Sequence, residues 1–452
     1  MKTISYKKEC ELPAYREVDV LVVGGGPAGI SAAVCAGRRG AKVLLCERDM
    51  SLGGTATNGL VGPFMTCSDP KGERMLIRGF FEELVNRLIA VGGAIDPMSI
   101  ANCDGYSSWH EFGHRNVTPF NSEALKFEAE SMCLESGVEL LYGVQAMDVV
   151  LSKSGDKLDG VVFLGKEGLL FIAAKVVIDC TGDGDVAHLA GCPMMKGDET
   201  TGEMQAGGLF FVIDGVNEAA LQARKDAKGW QAMRFTDEIN QAVEAGEYPI
   251  PRRRLGMYKS NDGTWRCNIT RIPDVDGSTT AGQNKIMQVG RVQIAAILKF
   301  LRKYVRGCES IRLVSTATLP GIRETRRIRG SFVMEESSIV AGEMFPDRIL
   351  ILSNSRDAHI GLVGRYIPQE VVYSLPYRML VPQGVGNLLA AGRNVSCDRS
   401  TLSAIRVMPP CFGLGQAAGN AAVLAVRDKC SCAEIDVAEL QDWLRQENVV
   451  LD

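Results

Sequence analysis

Histidine is scarce in this chain. Of 452 residues only His110, His114, His188 and His359 carry an imidazole, so a reaction needing a base that titrates near neutral pH has few side chains to draw on. No C-x-x-C occurs among the fourteen cysteines. The nearest approach is Cys430-Ser431-Cys432, so a paired redox dithiol is not expected, and free buried thiols in a reducing compartment are. Basic residues are not in excess: 50 Lys and Arg face 54 Asp and Glu, a net charge of −4. That balance excludes a general electrostatic case for nucleic acid or a membrane surface. No apolar run approaches the ~18 residues of a spanning helix. Residues 1–16 contain lysines but no apolar stretch of the signal-peptide kind, so a cytoplasmic protein is expected. Repeats and low-complexity tracts are also missing.

Glycine is plentiful, at 49 residues, and its placement carries information. Residues 18–23 are β-formers broken only by Asp19, and they lead into Gly24-Gly25-Gly26-Pro27-Ala28-Gly29. A helical stretch over 30–39 and an apolar strand over 42–46 follow, ending at Glu47 and Arg48. In such a unit Gly24 permits the tight turn, Gly26 lets a pyrophosphate approach the backbone, and Gly29 lets the helix pack on the strand. The helix start offers N–H groups to phosphate, and Glu47 is spaced to accept from ribose hydroxyls. Strand, glycines, helix, strand and acid in this order predict dinucleotide binding. Gly182-Asp183-Gly184-Asp185-Val186-Ala187 matches a second such motif formally. No strand with an acid or arginine follows at the required distance, so a separate nicotinamide domain is not expected.

After Glu47 comes a small-residue loop, Ser51-Leu52-Gly53-Gly54-Thr55-Ala56-Thr57. With it, the chain resembles the FAD-dependent oxidoreductases of the glutathione-reductase-like superfamily, in the branch named simply FAD-dependent oxidoreductase. The resemblance continues at 177–185, 319–327, 387–393, 405–411 and 413–419, in the family's order. It implies an α/β fold: a Rossmann-like FAD-binding domain of three layers (ββα) on a parallel sheet, with an inserted α+β substrate domain. It further implies FAD contacts from Gly53, Gly54 and Thr55, from Thr181, Gly182 and Asp183, from Gly392 and Arg393, and from Gly413, Gly415 and Gln416. The helix after Met408-Pro409-Pro410 is expected to aim its N-terminus at the flavin N1 and C2 carbonyl. Many relatives place an acid soon after the 388–392 strand to hold the ribityl chain. Here Arg393 and Asn394 stand there, and Asp398 is the candidate substitute.

The expected division assigns residues 1–60, 120–195 and 377–452 to the FAD-binding domain, and 61–119 with 196–376 to a substrate domain. Helices are predicted over 73–91, 282–306 and 408–427 from apolar periodicity. Strands are predicted over 138–151 and 158–172, with a buried parallel strand over 175–180.

Three stretches outside the glycine motifs concentrate chemistry. Residues 106–115 hold Tyr106, Trp109, His110, His114 and Arg115 in a long loop, which is more often functional than structural. Arg323, Glu324, Arg326 and Arg327 form a charged knot, either an internal ion-pair network or a binding site for an anion. His359 lies in Arg356-Asp357-Ala358-His359, close to Tyr366. His359 is the favoured acid/base and Arg323 the favoured substrate anchor, with His110 and His114 next. His110, Glu111 and His114 lack further ligands, so no metal is expected. The function expected is hydride transfer between a small polar metabolite and flavin N5, with electrons passed to an acceptor the sequence does not name. Alternatives are an electron-transfer subunit without its own substrate and, against the charge balance, an FAD-dependent RNA-modifying enzyme.

Overall fold

The computed structural model describes residues 11–110, 114–360, 363–368 and 370–452. The β-forming run around Val20 becomes the middle of a sheet that has seven strands among the described residues. β1 (Ala14–Val23) runs parallel to β2 (Val43–Glu47) on one side and β6 (Gly168–Asp179) on the other. β3 (Glu139–Tyr142) adds parallel to β2, and strand Leu388–Ala390 adds parallel to the end of β6. β4 (Gln145–Leu151) and β5 (Leu158–Gly165) continue antiparallel from the first half of β6. The hairpin arm and the buried parallel strand expected near residue 175 are therefore one strand, β6, with a different partner for each half.

Alternation along β1 separates two faces. Val20 and Val22 join the core under helix α1 (Pro27–Arg38) and the Met408–Asp428 helix. Leu21 and Val23 join a second core beneath the β4–β5 hairpin, with Val161, Phe163 and Leu388. The result is the expected α/β fold with a mainly parallel sheet, a helical layer on one side and a β layer on the other.

Close backbone approach sets the helical layer. A Cβ on Gly415 would lie 2.0 Å from the Ala28 carbonyl oxygen, and one on Gly419 would lie 2.3 Å from that of Ala32. Gly413 faces the Leu350 side chain. Gln416 accepts the Phe80 N–H at 3.0 Å and donates to Glu447 at 2.8 Å, which ties down the start of helix α2 (Phe80–Ala90). Gly413, Gly415 and Gln416 thus serve helix packing and capping, and none of the three, expected above as FAD contacts, is on the wall of the cavity that the glycine loop lines.

A second sheet is antiparallel, ordered Arg312–Thr316, Phe211–Asp214, Trp265–Cys267, Met257–Lys259. The Thr280–Tyr304 helix covers it through Ile294, Ile297, Leu298 and Leu301. Thr279 caps that helix by accepting the Gly282 N–H, so it starts at Thr280, two residues before the expected start. Helix α2 starts later than expected, because Gly79 has φ 64° and residues before it are not helical. A last helix, Val437–Gln446, capped by Asp436, was not anticipated. Phe64, Phe81, Leu350 and Tyr373, from stretches assigned above to the substrate domain, bury in the same core as α1. Among the described residues no helix is long and apolar enough to cross a membrane.

The helix crossing generates a graded prediction. Gly415→Ala forces a methyl into backbone and should cost about 3 kcal/mol or more, whereas Gly413→Ala meets a side chain that can turn aside and should cost clearly less. Urea unfolding of the two variants checks the order.

Candidate functional site

The ends of β1, β2 and β6 open into one cavity of about 300 Å³. It runs from the glycine loop, past the start of the Met408–Asp428 helix, to a cluster of arginines.

At the glycine end, Gly24 has φ 102°, and a Cβ there would lie 2.6 Å from the Cys180 carbonyl oxygen. A Cβ on Gly29 would lie 1.8 Å from the Gly24 carbonyl oxygen. Gly26 differs: a Cβ there would meet nothing within 4 Å, because it points into the cavity it lines. Helix α1 has proline in its first turn, no acid there and no side-chain cap, so its positive end and free N–H groups face this groove. Pro27 and Ala28 share the wall with Arg48, Gly54 and Thr55, whereas Gly53, at φ 100°, shapes the turn without lining it. Glu47 is buried on the wall and accepts the Gly25 N–H at 2.5 Å and the Asp49 N–H at 2.8 Å. Burial raises its pKa, and these two N–H donors pull the other way.

Thr181, Gly182, Asp183, Gly392 and Arg393 complete this end. Asp183 accepts from Thr325 at 2.7 Å and pairs with Arg393 at 2.7 Å. Arg393 Nη1 is buried with no hydrogen-bond partner among the described residues. An orphaned guanidinium donor beside an uncapped helix start and an open glycine fits a pyrophosphate. Asp398 does not reach the wall: it caps the Arg399–Ile405 helix by accepting the Thr401 N–H, and it also accepts the Glu336 N–H. It cannot stand in for the missing ribityl acid.

At the far end, Val407, Met408 and Cys411 share the wall with Arg323, Arg406, Asp357, His359, Tyr366, His114, Tyr258 and Asn268. Arg323 is buried, donating to the Ala206 carbonyl at 2.7 Å and to Asn268 Oδ1 at 3.1 Å. Burial first, then Arg406 and Arg252, lower its pKa to about 9. The charged knot therefore divides. Arg323 faces the cavity. Glu324 is locked between Arg327 at 2.6 Å and Arg399 at 2.9 Å, and Arg326 pairs with Asp185.

The histidines also divide. His359 Nδ1 lies 3.2 Å from Arg271 Nη1, and its Nε2 lies 2.9 Å from Asp357 Oδ2. A guanidinium only donates, so Nδ1 accepts and Nε2–H donates to the carboxylate. Burial, with Arg323 next, lowers the His359 pKa to about 3, and Asp357 is held well below the carboxylate range. Both ring nitrogens are committed, which argues against the acid/base role expected for His359. His114 Nδ1 lies 3.3 Å from the Ser107 carbonyl oxygen and must donate to it. Burial lowers its pKa to about 4, so the ring is neutral with a lone pair on Nε2. The His110 ring packs at a tilt against His114, with centroids 4.1 Å apart, but does not line the cavity. Glu111 lies outside the described residues. Tyr258, Asn268, Arg252 and Arg271 were not singled out from sequence. The run Arg252-Arg253-Arg254 was the one visible signal.

A family model described as FAD dependent oxidoreductase matches residues 19–444. Among curated proteins, the thiamine thiazole synthase of Methanococcus aeolicus is 30% identical over 49% of this chain and 71% of its own length. That of Methanococcus vannielii is 29% identical over 37% of this chain. The chain spans 56% of that relative's length. Among solved structures, L-proline dehydrogenase from P. horikoshii superposes with a TM-score of 0.44 at 10% identity, covering 97% of this chain and 100% of that one. A flavin-dependent brominase gives a TM-score of 0.47 at 13% identity, covering 96% and 84%.

Depressed histidines predict a pH dependence of stability. Below the ordinary 6.5, the unfolded chain takes up protons that folded His114 and His359 refuse until about 4 and about 3. Stability present above pH 6.5 is therefore lost as pH falls, by about 2 kcal/mol for each histidine at pH 5. Urea unfolding at pH 7 and pH 5 should show this loss, and His359→Gln should shrink it.

Proposed function

This chain belongs to the FAD dependent oxidoreductase family and binds FAD, and from that premise we propose that it moves a hydride between a small polar metabolite and the flavin N5, with a separate electron acceptor. The observation that carries the reading is one continuous cavity joining a pyrophosphate-type glycine groove to a cationic, aromatic-walled end that holds a neutral histidine. Bound FAD supplies the two-electron acceptor, and binding, orientation and proton handling fall to side chains.

Gly24, Gly26, the start of α1 and Arg393 would hold the pyrophosphate, and Glu47 the adenosine ribose. The Met408–Asp428 helix has no side-chain cap and no acid in its first turn. Its positive end would favour negative charge on the isoalloxazine. Arg323, fixed by Ala206 and Asn268, orients a polar or anionic substrate. Phe210, Tyr258 and Tyr366 line that end and keep water from the reacting carbon. His114 is our proton acceptor: Ser107 fixes its tautomer, leaving Nε2 as the base. His359 instead positions Asp357. The second sheet, drawn from the 196–376 segment, supplies Tyr258 to the wall, and Phe210 and Asn268 come from positions that flank its strands, in keeping with a substrate-covering role for that segment.

Two outcomes follow. Gly26→Val points a side chain into open cavity, so the variant should fold and melt as apo wild type does while binding FAD at least tenfold more weakly, read by flavin content and a refolding control. In an anaerobic panel of hydroxy acids, sugars and enoates, a substrate should bleach the flavin absorbance. His114→Gln should slow that bleaching roughly 10²-fold with FAD retained. If nothing in the panel bleaches the flavin, an electron-transfer subunit becomes the better account.

A further inference from the structure

Taking the far end of the cavity as the substrate site, we propose that it is a carboxylate-recognition site built by Arg323 and Arg406, and that the substrate is a small organic acid. The two guanidinium groups reach the same wall from different parts of the chain. Arg323 spends one N–H of each terminal nitrogen on Ala206 and Asn268. Each of those nitrogens keeps a second N–H. Arg406 donates from Nη2 to the Asp357 carbonyl at 2.8 Å, and its Nε is buried with no hydrogen-bond partner among the described residues. Gln205, whose Oε1 takes Arg406 Nη2 at 3.5 Å, also has a buried Nε2 with no such partner. Among the described residues, donors exceed acceptors here.

The charges show the same imbalance. Arg252 is buried behind Asn268, donating to its carbonyl and to its Oδ1, and Arg271 stands behind His359. Arg252, Arg323 and Arg406 thus gather at this end, and among the described residues Asp357 is the carboxylate on its wall. Glu324 is already shared by Arg327 and Arg399. Burial first, and then neighbouring arginines, lower the pKa of Arg252 and of Arg323. Buried cations without a counter-charge are costly, and the Nε–H of Arg406 has no partner among the described residues. A bound anion would supply both the missing acceptors and the missing charge. A carboxylate fits better than a phosphate for two reasons. Flat guanidinium forks match a planar two-oxygen group, and Asp357 on the same wall repels a doubly charged group more strongly than a singly charged one.

The test uses FAD-loaded protein titrated with acetate, malonate, succinate and inorganic phosphate, following the oxidised flavin spectrum at constant ionic strength. Saturable spectral perturbation by at least one carboxylate, tighter than by phosphate, is expected. Arg323→Lys and Arg406→Gln should each weaken it at least tenfold with FAD content and melting temperature retained. Tighter binding of phosphate, no saturable response to any carboxylate, or unchanged carboxylate affinity in both variants would overturn the proposal. Flavin bleaching by an uncharged metabolite alongside such a result would leave the hydride-transfer reading standing and remove only the substrate class.

Discussion

The site depends on backbones lying closer together than side chains would allow. The Gly24 turn rests against the Cys180 carbonyl, Gly29 lies against Gly24, and Gly415 presses the Met408–Asp428 helix onto Ala28. These contacts place the start of α1 at the mouth of β1 and the start of the 408–428 helix along the same cavity. Two helix ends with no acid in their first turns thereby share one space. Their positive ends suit the negative charge of a dinucleotide phosphate and of a flavin gaining electrons.

A different balance operates at the far end. Among the described residues cations there outnumber anions, and burial keeps the histidines neutral. The two effects are linked, since Arg323 is itself one of the reasons His359 resists protonation. Asp357 is the counterweight, ionised and held by the His359 Nε2–H. The hydrogen-bond logic assigns each ring a fixed tautomer, which separates a histidine that positions a carboxylate from one with a free lone pair.

Sequence made the first βαβ unit legible because its signals are local: apolar alternation, glycines at fixed spacing, and an acid at the strand end. The Met408–Asp428 helix was legible for the same reason, through Pro409 and Pro410 at its start. Where a residue's role depends on a partner far away in the chain, legibility failed. Gly413 and Gly415 were expected as FAD contacts, and nothing in their own stretch signals that they lie against Leu350 and Ala28. His359 looked like a base because neither Arg271 nor the Arg323 field can be inferred from its neighbours. Helix α2 was drawn too long because Met75 keeps the apolar phase while Gly79 breaks the backbone. The Val437–Gln446 helix was missed although Asp436 offered a cap.

We expect the cavity to hold FAD with its reactive ring toward the Arg323 and His114 end. A crystal structure of the FAD-loaded protein tests it most directly. The pyrophosphate should lie against Gly24, Gly26 and Arg393, and the isoalloxazine beside Met408 and Cys411 with one face toward His114 and Tyr258. An isoalloxazine directed away from this end, with Arg323 and His114 more than a substrate's length from its N5, would contradict it.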